Sequence, residues 1–192
     1  MFTYCPSCAS TRIQFTEGRR FYCPDCGFVY YHNTAAATGC IISTGETMVL
    51  LVRGKEPAKG KLDLPGGFVD PAEGALDGLR RECREELGLD PEAFLRDRSG
   101  GAVGGLAGND GFSLFASFPN TYPYKGILYN TCDMFFTISV PGLTEADLRL
   151  DPEEIGGVRF VRPEEVDFEE LAFDSTKRAV RAYVEYTQKT KH

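Results

Sequence analysis

Three glutamates, Glu82, Glu85 and Glu86, stand in "RRECREEL" at positions i, i+3 and i+4. On a helix this spacing puts their carboxylates on one face, where like charges repel. One reading is a solvated acidic face paired with Arg80, Arg81 and Arg84. The other is a site for a hard divalent cation, which takes several carboxylate oxygens together with waters. A bound cation would remove the repulsion. The carboxylates also lie next to the Gly66-Gly67 pair, a turn that brings backbone close to them. Together these features favour the cation.

The cysteines carry a second pattern. Cys5, Cys8, Cys23 and Cys26 are spaced C-x2-C-x14-C-x2-C, in "CPSC" and "CPDCG". Two short knuckles facing each other supply the four soft ligands that Zn2+ prefers. A disulfide scaffold is disfavoured because nothing indicates secretion. A redox C-x-x-C needs a strand-to-helix setting, and two matched copies argue against it. Four thiolates leave no open position, so the expected Zn2+ is structural. Cys40, Cys83 and Cys132 lie in apolar surroundings and read as small core residues.

These groups need elements to hold them. "ASTRIQFTEGRRFY" has room for two short strands between the knuckles. Residues 1–34 are too few for a sizeable apolar core, so metal would do much of the stabilising. Beyond "YYHNTAAATG", the segments "AAATGCIIS" and "ETMVLLVRG" read as strands joined at "STGE". "KLDLPGGFVD" reads as a loop. A helix is expected from Pro71, with Asp70 as its cap and Glu73 completing a capping box. Ala72, Ala75, Leu76, Leu79, Cys83 and Leu87 form its apolar stripe, and Gly88 ends it. "ILYNTCDMFFTISV" reads as a core strand and "VRFV" as the final strand. "DSTKRAVRAYVEYTQK" reads as a closing helix, with Val180, Tyr183, Val184 and Thr187 on one side. The glycine-rich stretch 99–111 lacks a dinucleotide fingerprint and reads as a connection. Of the two histidines, His192 is terminal, and His32, near the ribbon, is not expected to bind metal, because four cysteines already satisfy zinc.

The chain has 192 residues and a net charge of −7, which suggests one domain or one domain with a small attachment. The acidic balance argues against nucleic acid held by a general basic surface. No apolar run reaches membrane-spanning length. "MFTYCPSCAS" does not read as a signal peptide, so the expected location is the cytoplasm.

From Gly67 to Leu89 the chain resembles the Nudix family. "GFVDPAEGALDGLRRECREELGL" matches the Nudix box, G-x5-E-x7-R-E-U-x-E-E-x-G-U, where U is bulky and apolar. Gly67, Glu73, Arg81, Glu82, Glu85, Glu86, Gly88 and Leu89 fill their places, and Cys83 stands where a larger aliphatic is usual. The resemblance implies an α/β fold: a mixed sheet in an α/β/α sandwich over residues 35–192, preceded by a small zinc ribbon over 1–34. It implies hydrolysis of a nucleoside diphosphate linked to another group, with Mg2+ or Mn2+ as cofactor. Glu82, Glu85 and Glu86 would bind the metal with the backbone carbonyl of Gly66, while Glu73 and Arg81 would brace the motif by an ion pair. Such ions neutralise the diphosphate and lower the pKa of a water, so attack needs positioning rather than a covalent intermediate. The resemblance also favours a homodimer.

A zinc ribbon ahead of a Nudix domain is similar to the layout of NADH pyrophosphatases. Those enzymes carry S-Q-P-W-P-F-P-x-S, for which this chain has "SFPNTYPYKG" and no tryptophan. Phe118, Tyr122 and Tyr124 are candidates to stack on a base, or they belong to a loop packed on the sheet. The expected substrate contains ADP, as in NAD(H) or ADP-ribose. Alternatives are nucleoside triphosphates, nucleotide sugars, an NAD-capped RNA end, or a ligand-sensing module without catalysis. The intact glutamate set argues for an enzyme. Family members often place a glutamate before the final strand, and aligning on "VRFV" puts Gly157 there. The candidate general bases are therefore Glu82 on the helix and Glu154, with Glu153 read as a solvated acid.

Overall fold

The structure, a computed structural model, describes residues 2–98 and 111–190. The stretch 99–110, which holds nearly all of the glycine-rich connection, and His192 lie outside the described residues.

The N-terminal region is a three-stranded antiparallel sheet of β1 (Gln14–Thr16), β2 (Arg20–Tyr22) and β3 (Val29–Tyr31). The two knuckles share one backbone form. Ala9 and Gly27 each follow a cysteine pair with positive φ, and their N–H groups donate to the carbonyls of Cys5 and Cys23. Phe21 is buried, with Phe2 and Phe28 edge-on to its ring. With one such ring at its centre, this region has little apolar core of its own.

The second sheet is mixed. Its strands β4 (Ala35–Ser43), β5 (Met48–Arg53), β6 (Leu62–Asp63), β7 (Ser113–Tyr124) and β8 (Ile127–Ser139) run in the order β6-β5-β4-β8-β7, and β9 (Ile155–Val161) pairs with β5. The pairing of β4 with β8 is parallel; the other pairings are antiparallel.

Strand alternation sends successive side chains to opposite faces. Cys40, Ile42, Val49 and Leu51 meet Leu79, Cys83 and Leu87 of α1 (Ala75–Leu87) on one face. Ile41, Met48 and Leu50 meet Val180 and Tyr183 of α3 (Asp174–Thr190) on the other. A short helix α2 (Pro91–Arg98) follows α1, and its Phe94 and Leu95 pack on the first cluster. The result is the α/β/α sandwich implied by the resemblance. Among the described residues, no helix is long and apolar enough to cross a membrane.

Four expectations need correction. The helix begins at Ala75, not Pro71. Ala72 adopts positive φ, which is incompatible with the helix, so the turn from Asp70 to Gly74 precedes it. Glu73 still reaches back to the Asp70 N–H at 3.0 Å, but it closes that turn, while Asp77 accepts from Gly74 N–H at 3.3 Å. "SFPNTYPYKG" is strand β7 and its hairpin turn rather than a loop, paired with β8 throughout. "KLDLPGG" contributes strand β6. Cys132 is exposed, whereas Cys40 and Cys83 are buried.

Candidate active site

The loop between β6 and α1 is shaped around the glutamates. Gly66 has φ +146°, and a Cβ there would lie 2.1 Å from the Thr38 carbonyl oxygen. A Cβ at Gly67 would lie 2.5 Å from Glu82 Oε1. At Gly66 only glycine lets the backbone pass β4 this closely, while a side chain at Gly67 would push the Glu82 carboxylate from its place. The Gly66 N–H donates to Glu86 Oε2 at 2.9 Å.

Arg81 organises the same loop. Its Nε and Nη2 donate to the two oxygens of Glu73 at 2.9 and 3.1 Å, a fork-on-carboxylate pair. Nη2 also donates to the Phe68 carbonyl at 2.9 Å. Nη1 turns inward and donates to Glu82 Oε1 at 2.8 Å and to Glu85 Oε2 at 2.9 Å. These anions hold the Arg81 proton more tightly than usual, and the guanidinium lowers the pKa of Glu73.

Glu82, Glu85, Glu86 and Glu154 line one cleft of about 300 Å³ with Arg53, Lys55 and Asp63. Glu82 is 13% exposed and Glu85 57%. Burial pushes the pKa of Glu82 up, against the pull of Arg81. Burial pushes Glu86 well above the ordinary carboxylate range, with Glu82, Asp63 and Glu154 adding repulsion and only the Gly66 N–H opposing. Glu154 sits immediately before β9 and pairs with Lys55. Gly156 and Gly157 are part of β9, and Gly157 pairs with Val52. Glu153 is exposed.

This arrangement suits a divalent cation. Glu82 and Glu86, whose pKa values are raised, face a backbone turn, and Glu86 has no cationic partner among the described residues. The glutamates are nevertheless splayed. Among the described residues, the only group with ligand atoms all within 4.8 Å of one another is Cys5, Cys8, Cys23 and Cys26. Their sulfurs approach to 3.6 Å for Cys5 with Cys26 and 3.7 Å for Cys8 with Cys23, as in a tetrahedral thiolate site.

The three aromatic candidates separate along β7. Phe118, Tyr122 and Tyr124 share one strand face, yet only Tyr122 reaches the cleft. Its ring is 5.4 Å from both Phe68 and Phe173, and its hydroxyl accepts from Arg53 Nη2 at 3.5 Å. Phe118 lies under the Arg178 guanidinium, 4.4 Å from its ring centre, with Phe135 beside it. Tyr124 stands at the hairpin tip, 45% exposed.

Sequence reading missed Arg53, Asp63 and Lys55. Arg53 donates to Asp63 Oδ2 at 3.0 Å and to the Pro57 carbonyl at 2.8 Å, and it stacks on Phe173 at 4.9 Å. Asp63 also accepts from Thr176 at 2.8 Å, and burial raises its pKa despite Arg53. A signal existed for Asp63: an acid between two leucines in "KLDLP" is costly to bury unless it is paired.

Known proteins match this layout. A NUDIX domain model matches residues 33–183. The chain is 32% identical over 87 residues to a Stutzerimonas stutzeri protein named NAD-capped RNA hydrolase NudC, covering 45% of this chain and 31% of that one. A Deinococcus radiodurans protein of the same name is 33% identical over 89 residues, covering 45% and 32%. The match thus spans about a third of the length of these relatives. A NUDIX hydrolase structure from Nitrosomonas europaea superposes with TM-score 0.65 at 22% identity, covering 97% of this chain and 93% of that one. The NUDIX domain of Shewanella oneidensis NrtR, complexed with ADP ribose, gives 0.58 at 14% identity, covering 86% and 94%. The domain match over most of the chain, the intact box and the shared sandwich lead to one conclusion: this chain belongs to the Nudix family.

Proposed function

We propose that the chain is a divalent-cation-dependent pyrophosphohydrolase acting on an ADP-containing diphosphate such as ADP-ribose or NAD(H). The observation that carries this reading is the facing of Glu82, Glu85 and Glu86 on α1 by Glu154, before β9, across a cleft that also holds Lys55 and Arg53. Mg2+ or Mn2+ held by the three helix glutamates and the Gly66 carbonyl would supply charge neutralisation and an acidified water. Arg81 holds Glu82 and Glu85 in place. Arg53 and Lys55 are cations on the cleft wall, positioned for phosphate oxygens. Glu82 or Glu154 accepts the proton of the attacking water. Tyr122, rather than Phe118 or Tyr124, is the member of the aromatic set placed to meet a ring near the diphosphate.

Zn2+ at Cys5, Cys8, Cys23 and Cys26 would hold residues 1–34 together, with the hydrolase domain occupying 35–192. A thiolate zinc site and three further free thiols suit a reducing compartment such as the cytoplasm. The relatives named NAD-capped RNA hydrolase support a substrate with an NAD-type diphosphate.

The test is a hydrolysis comparison of ADP-ribose, NADH, NAD-capped RNA and nucleoside triphosphates with Mg2+ and with Mn2+, products identified. Cleavage of the diphosphate link, lost in Glu85→Gln, is expected. A clear preference for triphosphates would overturn the substrate class, and no turnover on any of them would favour a ligand-binding module.

A further inference from the structure

A second cavity opens from the acidic cleft, beneath the N-terminal end of α3. It measures about 110 Å³ and shares Arg53, Asp63, Gly67, Phe68 and Tyr122 with the cleft. A single ordered water needs roughly 10–15 Å³ of such space, so this one is suited to a larger group.

On its wall, Thr131 Oγ1 and Asp133 Oδ1 have no hydrogen-bond partner among the described residues. Both residues are more than nine-tenths buried, at 3% and 8% exposure. They sit two apart on β8 and so point to the same face of the sheet, the face that packs on α3. Thr38 lines the cavity as well and its Oγ1 is also unpartnered among the described residues, but alternation along β4 turns that side chain to the opposite face with Cys40 and Ile42.

The Asp133 carboxylate is held from behind. Ser175 Oγ donates to Oδ2 at 2.6 Å, leaving Oδ1 as an acceptor without a donor. Buried polar atoms rarely go unmatched, because an unpaired acceptor in a low-dielectric site is costly. The missing partner must supply an N–H or O–H beside a group able to accept from Thr131. The other walls are aromatic: Phe68, Tyr122 and Phe173. A flat ring carrying an amino donor next to a ring-nitrogen acceptor satisfies all three demands. The Watson–Crick edge of adenine has this form, with its exocyclic amine beside N1.

Building on the hydrolase reading, we propose that this cavity is the adenine pocket, with Asp133 accepting from the exocyclic amine and Thr131 donating to N1. The ring then lies beside Tyr122 and Phe173, and the diphosphate passes Arg53 towards the glutamates. Hypoxanthine, with a carbonyl in place of the amine, sets oxygen against oxygen at Asp133.

Calorimetric titration of the whole chain, with its zinc retained and no Mg2+ or Mn2+ added, with AMP, IMP and nicotinamide mononucleotide reads the pocket without turnover. AMP binding about tenfold or more tighter than IMP is expected, the size of one well-placed hydrogen bond. Equal AMP and IMP affinities overturn the assignment, as does nicotinamide mononucleotide binding tighter than AMP. Asp133→Asn can keep the Ser175 bond through its amide oxygen and turn its NH2 into the cavity. Its AMP-over-IMP preference should shrink or invert; an unchanged preference overturns the proposal. Thr131→Val should weaken AMP by several-fold, and an unchanged affinity counts against the proposal. If no diphosphate were hydrolysed, the hydrolase reading would fail while the AMP and IMP titrations still decided the pocket.

Discussion

Arg81 grips Glu73 with two parallel hydrogen bonds of 2.9 and 3.1 Å, and with its remaining nitrogen it holds Glu82 and Glu85. One side chain thus joins the turn before α1 to the acidic face of α1. The brace predicted from the box and the acidic cluster are a single network, so loosening one end disturbs the other.

Arg81→Lys should therefore cost both stability and activity, because an ammonium cannot reproduce the fork. Chemical denaturation should show a loss of about 1–3 kcal/mol, the scale of lost hydrogen bonds to charged groups. The pKa of Glu73 lies below its ordinary 4.5, so the stability it contributes is present above that value and lost as pH falls through the lowered one. Glu73→Gln should flatten the acid limb of a stability-versus-pH curve. A limb of unchanged steepness would remove Glu73 from the network.

Glu86 has the opposite sign. Its pKa in the folded protein lies well above 4.5, so its stabilising contribution is present below that value and lost as pH rises through the folded value. In metal-free protein near neutral pH, Glu86→Gln should melt a few degrees higher than wild type. With Mn2+ added, wild type should gain more than the variant, and kcat of the variant should fall by about a hundredfold or more, as when a transition-state contact is lost. Equal metal-induced shifts in the two proteins would remove Glu86 from the cation site.

Freshly purified, reduced protein should contain one zinc per chain, since its four thiols converge within 4.8 Å. Cys23→Ser should lose the metal and increase proteolysis in residues 1–34, while α1 and the mixed sheet stay folded by circular dichroism. Elemental analysis showing no zinc in wild type would end this reading.

The two candidate bases are separable by kinetics. If Glu154 accepts the proton, Glu154→Gln should lose the acidic limb of the pH–rate profile together with most of kcat. If Glu82 does, the Glu154→Gln profile keeps its shape and Glu82→Gln loses the limb. Retention of the limb in both variants would eliminate the pair.

Tyr122→Ala should raise KM by the loss of stacking, on the order of 1–3 kcal/mol if a base rests against it. Tyr124→Ala should leave KM near wild type, since that ring stands at the solvent-exposed hairpin tip. A reversed ranking would move the ring-binding surface to the tip.

Patterns with local geometry were legible in the sequence. The i, i+3, i+4 glutamates had to share a helix face, because a few residues of regular backbone fix that relationship, and each C-x-x-C knuckle is as local; that the two knuckles converge was expected from the chemistry of zinc, and the β1-β2-β3 sheet brings them together. The apolar stripe of α1 was legible in the same way, and its Leu79, Cys83 and Leu87 are buried. The start of α1 was misread because Asp70-Pro71 and Glu73 imitate a capping box, while positive φ at Ala72 delays the helix to Ala75.

What only the tertiary structure decided is which distant side chains face one another. Phe118, Tyr122 and Tyr124 share a strand face and were equivalent candidates in the sequence. Their different distances along β7 leave one under Arg178, one in the cleft and one at the tip. Glu154 meets the helix glutamates because β9 pairs with β5, and Arg53 on β5 meets Asp63 because β6 pairs there too. Asp133 in "NTCDMFFTI" was visible as an acid inside an apolar strand, but its partner Ser175 lies on α3 across the sheet. Such pairings depend on strand order and register, which are set by the packing of the whole sandwich rather than by any one segment.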